Sequence, residues 1–205
     1  MSDKIDFRKS LKTLYQPSAK AFELIEVPAM QFVMVDGAGN PNTAEAYKHA
    51  LEWLYGTSYA LKFAVRHATG QDYVVPPLEG LWWSEDMESF IRRDKDRWRW
   101  TMMIMAPDFA SSALYEAAVE KARGKLGESP ASLRLERYEE GLSVQILHIG
   151  SYDDEGPTLA RLHDEFMPQN GLVATRHHHE IYLSDARKTA PEKLKTILRQ
   201  PVARA

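Results

Sequence analysis

The residues of this chain that are best suited to catalysis or ligand binding lie near its carboxyl end. Three histidines at 177–179 directly precede Glu180, and Tyr182 follows just beyond. The whole chain has 7 histidines, so this stretch holds a large share of them. Imidazoles and a carboxylate could bind a metal ion, and a carboxylate beside an aromatic ring could act as a base toward water. The choice between these chemistries depends on which side chains point to the same side.

Residues 177–184 alternate as a β-strand does, in which successive side chains point to opposite faces. Glu180 and Tyr182 are therefore predicted to share one face with His178. Ile181 and Leu183 are expected on the other face, in a core packed under a helix. Glu180 and Tyr182 would then lie on the face opposite that helix.

A metal site is not expected at these histidines. In a strand His178 points away from its neighbours, so at most His177 and His179 could bind one ion, which is fewer ligands than zinc usually has. Cysteine is absent, which excludes thiolate ligands, disulfides and cysteine nucleophiles. We predict no metal and no cofactor, and we interpret the three histidines as the exposed beginning of a strand.

A glutamate in the middle of a strand is either a solvated residue or part of a site. Other predicted strands favour the site, because several of them are apolar on both faces. Trp98 and Trp100 lie on the same face of one strand, and Trp83 lies on the same face as Glu79 in another. The second face of such a sheet should meet another sheet or a ligand, although ordinary core packing remains the alternative for each tryptophan. An aromatic cleft with carboxylates suits a bulky, apolar, cationic or electron-poor molecule.

Predicted elements in the first half follow the order βαββ. Residues 31–37 are typical of a strand, and a helix should begin at Asn42, where Glu45 completes a capping box, and end by Gly70 with a possible interruption near Gly56. Two strands are predicted at 78–84 and 97–105.

The second half repeats this order after a helix that is expected to begin at Asp108 and end at Gly127. Strands are predicted at 133–138 and 142–149, then a helix that ends at Gly171, then the strand that carries Glu180. This similarity suggests a duplicated βαββ unit. A last helix is predicted from Pro191 to about Arg199, where Pro201 would end it.

Charge and hydropathy exclude several classes of partner. The formal net charge is −3, from 26 basic and 29 acidic residues, and no basic block could neutralise several phosphates. No stretch approaches the ~20 apolar residues of a membrane span, and the first residues do not form a signal peptide. We therefore expect a soluble, cytoplasmic protein without a direct nucleic-acid or membrane partner; the sequence does not indicate its oligomeric state.

Four segments in order resemble the GyrI-like small-molecule-binding domain, and the likeness extends from about Phe7 to about Val202. They are residues 78–86 (LEGLWWSED), 98–109 (WRWTMMIMAPDF), 144–155 (VQILHIGSYDDE) and 178–185 (HHEIYLSD). The resemblance implies an α+β fold of two duplicated βαββ modules related by a pseudo-twofold. Antiparallel sheets would carry helices on one side, and a ligand groove would lie between the modules.

The same resemblance implies how the chain is divided. Residues 1–205 would form a single domain, with a first module at about 27–106 and a second at about 131–185. A connecting helix would span about 108–127, and a C-terminal helix about 190–200.

By the same resemblance Glu180 would be the acidic residue of the groove and Tyr182 its aromatic neighbour, and these two are the predicted catalytic residues. Four further residues are expected to contact the ligand: Glu79, Trp83, Trp100 and His148. The family pattern has a proline after Ser184 and Asp185, where this chain has Ala186, which affects only the following turn.

Two functions follow from the resemblance, since the family includes effector domains of multidrug-sensing regulators and stand-alone hydrolases of cyclopropanoid natural products. In the first, Glu180 activates water for hydrolysis of a strained hydrophobic electrophile, a detoxifying step that confers drug resistance. In the second, the domain only binds or sequesters hydrophobic, often cationic compounds, and Glu180 is the counter-charge. Nothing before Phe7 could form a helix-turn-helix, so a regulator would act through another chain.

Overall fold

The computed structural model describes residues 4–85 and 94–205, so that Asp86 of the first motif lies outside the described residues. Contacts divide the chain into two compact units. The first unit comprises the described residues within Met1–Ser10 and Met30–Tyr138, and the second comprises Leu11–Ala29 and Glu139–Ala205. Within the described ranges, no helix is both long enough and apolar enough to cross a membrane.

The strands and helices of the described residues are as follows. The strands are β1 (Glu23–Val27), β2 (Met30–Ala38), β3 (Leu78–Trp83), β4 (Arg99–Ala106), β5 (Arg134–Tyr138), β6 (Gly141–Ile149), β7 (Leu172–Ala174), β8 (His178–Tyr182) and β9 (Lys195–Arg204). The α-helices are α1 (Phe7–Ser10), α2 (Lys12–Tyr15), α3 (Glu45–Thr69), α4 (Ser112–Leu126), α5 (Gly156–Ala160) and α6 (Met167–Gln169). A π-helical turn at Arg161–Phe166 joins α5 to α6, and short 3₁₀ turns lie at Lys95–Arg97, Tyr152–Asp154 and Pro191–Lys193.

The sheet of the first unit has the order β3-β4-β2-β5, and every pair in it is antiparallel. Its register places Trp82 opposite Trp100 and Glu79 opposite Met103. The strand β5 pairs with β2, so residues that were expected to begin the second module belong to the first unit.

The sheet of the second unit has the order β8-β9-β6-β1, again antiparallel, and β7 pairs with the far end of β9. The helix predicted from Pro191 to about Arg199 is wrong, because only Pro191–Lys193 form a helical turn and the following residues form β9. Tertiary pairing overrides the helical spacing of apolar residues here, since β9 has a partner strand on each side.

The repeated order of elements is confirmed. β2, α3, β3 and β4 recur as β6, the helical segment at 156–169, β8 and β9, with only the short β7 inserted. In both units the third strand of the repeat pairs with the fourth, and the fourth pairs with the first. The predicted α+β class is therefore confirmed.

The long helix α3 differs from its prediction at its beginning. Its N-cap is Ala44, because Asn40 uses its Oδ1 to accept a hydrogen bond from the backbone N–H of Asn42 (3.1 Å) and forms a turn before the helix. Gly56 does not interrupt α3; a Cβ there would lie 2.9 Å from Leu126 Cδ1, so the glycine lets α4 pack closely. The helix ends as predicted at Gly70, which has a φ of 72° and donates its N–H to the Arg66 carbonyl.

The helix α4 also begins later than expected. Ser111 caps it by accepting a hydrogen bond from the Leu114 N–H (3.4 Å). Asp108, the predicted cap, instead accepts a hydrogen bond from Arg137 at 2.7 Å. The end at Gly127 is as predicted.

Candidate functional site

The alternation predicted for the strand β8 is present. His179 and Ile181 point to one face of the sheet and are fully buried, whereas His178, Glu180 and Tyr182 point to the other. We call the face on which His178, Glu180 and Tyr182 lie the Glu180 face.

The Glu180 face extends across the neighbouring strands. Tyr182 is paired with Thr196 on β9, and Thr196 with His148 on β6, so these three side chains form one row. Glu180 belongs to the next row, opposite Leu198. The structure thus brings three of the predicted residues, Glu180, Tyr182 and His148, to one face of the second unit.

A helix covers the Glu180 face, contrary to the expectation that it would cover Ile181. Leu162 and Met167 of the helical segment pack in one apolar cluster with Val144 and Val202, and the pairing register assigns both valines to the Glu180 face. The opposite face is contacted by the chain before β1, where backbone carbonyls of residues 13–14 accept hydrogen bonds from Gln145 and Arg199. Glu180 therefore lies on the side of the sheet where core residues are expected.

The carboxylate of Glu180 is held at one of its two oxygens. The Tyr182 hydroxyl donates a hydrogen bond to Oε2 over 2.7 Å, and the side chain of Glu180 is only 14% exposed. The ring of Tyr152, from the turn after β6, meets the Tyr182 ring edge to face at 5.6 Å. Oε1 points toward His178, whose Nε2 is 3.6 Å away.

The interpretation of the three histidines as an exposed beginning of a strand is wrong for two of them. His177 is exposed, but His178 and His179 are buried, because β8 packs on both faces. Within residues 4–85 and 94–205, no group of three or more histidine, aspartate or glutamate side chains could hold a metal ion.

His179 belongs to a buried charged network. Its Nδ1 lies 2.9 Å from Glu140 Oε1, and Arg199 donates to Glu140 Oε2, also over 2.9 Å. Arg199 further donates to the Gln145 side chain and to the Leu14 carbonyl. Burial alone would raise the pKa of Glu140, but His179 and Arg199 hold that pKa at about 2. Sequence reasoning missed this network because its members are scattered along the chain.

His148, a predicted ligand contact, supports a turn. Its Nε2 lies 3.2 Å from the Ser151 carbonyl, and the Ser151 hydroxyl donates to Asp154 over 2.7 Å. This turn leads into Tyr152, so His148 positions the aromatic ring that contacts Tyr182.

Trp100, another predicted ligand contact, is a core residue of the first unit. It is fully buried on the face that packs against α3, where Tyr47 meets its ring edge to face at 5.2 Å. Its indole N–H donates to the Gly39 carbonyl over 3.3 Å. These contacts favour the alternative of core packing for Trp100, and its role in ligand binding stays a prediction.

Glu79 and Trp83 lie on the opposite face of that sheet from Trp100, as the alternation predicted. Glu79 is fully buried and Trp83 is half-buried. Their role in ligand binding stays a prediction.

Comparison with known proteins agrees with this architecture. The chain is similar over 98% of its length to a conserved protein of uncharacterised function from Listeria innocua, with 45% identity, a TM-score of 0.89 and 100% of that structure covered. Two further Listeria innocua structures, each named a hydrolase, are 44% and 42% identical with TM-scores of 0.87 and 0.84. Both are likewise covered completely, by 98% of this chain.

The comparison with curated proteins finds no match. The sequence pattern of the GyrI-like small molecule binding domain, by contrast, matches residues 20–203, which is most of the chain. The chain therefore belongs to the GyrI-like family of small-molecule-binding domains.

Proposed function

We propose that this protein hydrolyses hydrophobic electrophiles that contain a strained three-membered ring, with Glu180 as the general base toward water. The observation that carries the proposal is the state of the carboxylate: 14% exposed, on the helix-covered face, with Tyr182 on one oxygen only. A carboxylate that is mostly removed from water is costly unless it has a function or a partner, and among residues 4–85 and 94–205 the Tyr182 phenol satisfies only one of its oxygens. The two Listeria innocua relatives named hydrolase support a hydrolytic reaction.

The proposed step needs few groups. Glu180 Oε1 takes a proton from water while the water oxygen bonds to a carbon of the strained ring. The ring carbon–carbon bond breaks, and its electron pair moves into the conjugated acceptor of the electrophile, which then gains a proton from solvent. Tyr182 keeps the carboxylate in one orientation through Oε2, and the Tyr152 and Tyr182 rings contact the apolar body of the substrate. Such a reaction would remove a DNA-alkylating drug and confer resistance to it.

The test uses a spirocyclopropyl cyclohexadienone as substrate. Purified protein should convert it to the ring-opened alcohol, detected by mass spectrometry as the addition of one water. Glu180→Gln preserves size and one acceptor oxygen but cannot take the proton, so turnover should fall by roughly 10²- to 10⁴-fold while affinity for this neutral compound is retained. Exposed Glu192 offers a matched control, and Glu192→Gln should turn over like the wild type. Equal rates for Glu180→Gln and wild type would refute the proposal.

A second function has a specific observation in its favour, the ring pair of Tyr152 and Tyr182 beside a carboxylate. Aromatic rings and a negative charge together favour a hydrophobic cation, so the domain could bind such compounds without reacting. In that case the wild type shows no turnover, and Glu180→Gln weakens binding of a cationic dye while a neutral analogue binds as before.

A further inference from the structure

His178 is the least explained polar residue of the Glu180 face. Its side chain is only 6% exposed, and neither ring nitrogen has a hydrogen-bond partner among residues 4–85 and 94–205. The adjacent His179, by contrast, is engaged by Glu140 at 2.9 Å. An imidazole buried without a partner is unfavourable, so its presence here points to a ligand or a reactant.

The orientation of His178 indicates what it faces. Its Nε2 is directed at Oε1 of Glu180, 3.6 Å away, and Oε1 is the oxygen that the Tyr182 hydroxyl does not use. This separation exceeds that of a hydrogen bond. By this separation alone, a water oxygen between the two atoms would lie about 2.8 Å from each, which is the normal hydrogen-bond distance. The surrounding side chains exclude solvent from Nε2, so they have to move to admit that water.

A second histidine lies near this position. His163 belongs to the π-helical turn between α5 and α6, a type of turn that often occurs at functional sites. Burial and then the nearby His178 ring lower the pKa of His163. His163 and His178 therefore lie close enough to interact.

We infer that His178 is a further catalytic residue, which holds the attacking water jointly with Glu180. This inference rests on the proposed hydrolysis. The water donates one hydrogen to Glu180 Oε1 and the other to Nε2 of neutral His178. The first proton transfers to Oε1 as the oxygen–carbon bond forms and the ring bond breaks, whereas the second stays on the product hydroxyl. His178 thus fixes the direction of the water lone pair without a net change in its own protonation.

The kinetic test compares three variants on the same spirocyclopropyl cyclohexadienone. His178→Phe keeps a planar ring without nitrogens, and His178→Gln keeps a polar atom near the position of Nε2. The exposed neighbour provides the control, His177→Phe. We expect His178→Phe to lower kcat roughly 10- to 10³-fold with little change in KM, in line with loss of one oriented hydrogen bond to the reacting group. His178→Gln should recover part of this loss, and His177→Phe should equal the wild type.

A folded His178→Phe with the wild-type kcat would overturn the inference. If that variant does not fold, as judged by circular dichroism, the kcat of His178→Gln decides instead, since an unchanged value would have the same meaning.

A measurement without turnover separates this inference from the proposed function. If the wild-type protein leaves the substrate intact, hydrolysis is refuted, and imidazole NMR of His178 then decides whether it is paired with Glu180. We expect Glu180→Gln to change the ring nitrogen chemical shifts of His178 at neutral pH, because Nε2 lies 3.6 Å from Glu180 Oε1 and the two atoms would share one water. Identical His178 ring nitrogen shifts in both proteins would show that the two groups do not act together.

Discussion

The buried network of Glu140, Arg199 and His179 contains charges that are stable only in the presence of their partners. Both Glu140 and Arg199 are almost completely removed from solvent, and each carboxylate oxygen of Glu140 has its own partner. Removing two charges from water is unfavourable, and their attraction offsets this cost only while both are present. The network therefore makes Arg199 dependent on Glu140.

We predict that Glu140→Gln destabilises the protein by about 3–5 kcal/mol, because Arg199 remains buried without its counter-charge. Urea unfolding at neutral pH measures this change. The neighbouring Glu139 is exposed and provides a matched control, since Glu139→Gln should change the free energy of unfolding by less than about 0.5 kcal/mol. Equal effects of the two substitutions would contradict the role assigned to the network.

The same residue implies a pH dependence of definite sign. The pKa of Glu140 is lowered from 4.5 to about 2 in the folded protein. The ionised carboxylate therefore contributes fully to the free energy of unfolding above pH 4.5, and this contribution is lost as the pH falls from 4.5 to about 2. The shift corresponds to about 3 kcal/mol. The stability difference between wild type and Glu140→Gln should therefore shrink as pH falls from about 4.5 toward 2, and a constant difference would exclude this linkage.

At the residue scale, the sequence predicts side chains that one strand brings together but not those that meet through folding. Alternation along one strand was enough to place Glu180 with Tyr182, whose hydroxyl then proved to hold Oε2. The partner of His179 could not be predicted in the same way, because Glu140 lies 39 positions earlier in a connection between strands. His178 was misjudged for a related reason, since burial by a helix depends on which face the helix covers.

The two repeats differ in the side chains that they place on the helix-covered face of the sheet. On the helix-covered face of the first unit, β3 presents Trp82 and β4 presents Trp100, and both are buried against Tyr47 of α3. On the corresponding face of the second unit, β8 presents Glu180 and Tyr182. One repeat thus has an aromatic core where the other has a carboxylate and a phenol, which supports a specialised function for the second.

Gly37 shows how closely the aromatic core of the first unit is packed. A Cβ at this position would lie 2.1 Å from Cη2 of Trp100, so Gly37→Ala should force the indole to move and destabilise the protein by about 1–3 kcal/mol. Gly124 in α4 has no neighbour within 4 Å of a Cβ, and Gly124→Ala should stabilise its helix by about 0.5–1 kcal/mol. Urea unfolding of both variants tests this, and a neutral Gly37→Ala would mean that Trp100 has room to shift.

Among the elements, those with a clear local pattern were predicted and those defined by tertiary pairing were not. Strands at 31–37 and 142–149 alternate or are continuously apolar, and both are present. The strand β9 was mistaken for a helix, partly because Pro201 is unusual inside a sheet. It is tolerated because its nitrogen points away from β6, where Ser143 lies opposite: the Pro201 carbonyl accepts from the Thr175 N–H on the other side, and N and C=O of one strand residue point the same way. On that side β8 pairs only up to Arg199 and β7 begins to pair at Val202.

At the scale of the whole chain, the two units exchange strands: one strand of each unit comes from the part of the chain next to the other unit's strands. β1 precedes β2 in the chain but pairs with β6, and β5 precedes β6 but pairs with β2. Each unit is therefore completed by a strand that the chain order would give to the other. Sequence reasoning found the duplication but could not find this exchange, because pairing partners leave no periodic signal along the chain.

The exchange predicts that the second unit cannot fold from residues 139–205 alone. That fragment lacks β1, the partner of β6, and the carbonyls of residues 13–14 to which Gln145 and Arg199 donate. Val27 pairs with Gly141, so joining Ala29 directly to Glu139 would leave only Pro28, Ala29, Glu139 and Glu140 to connect β1 with β6. We expect the joined chain of 11–29 and 139–205 to unfold cooperatively in urea, and 139–205 alone to show no cooperative transition. A joined chain with residues 11–29 in scrambled order is the control and should behave like the short fragment. A cooperative transition of 139–205 at the midpoint of the joined chain would show that β1 is dispensable.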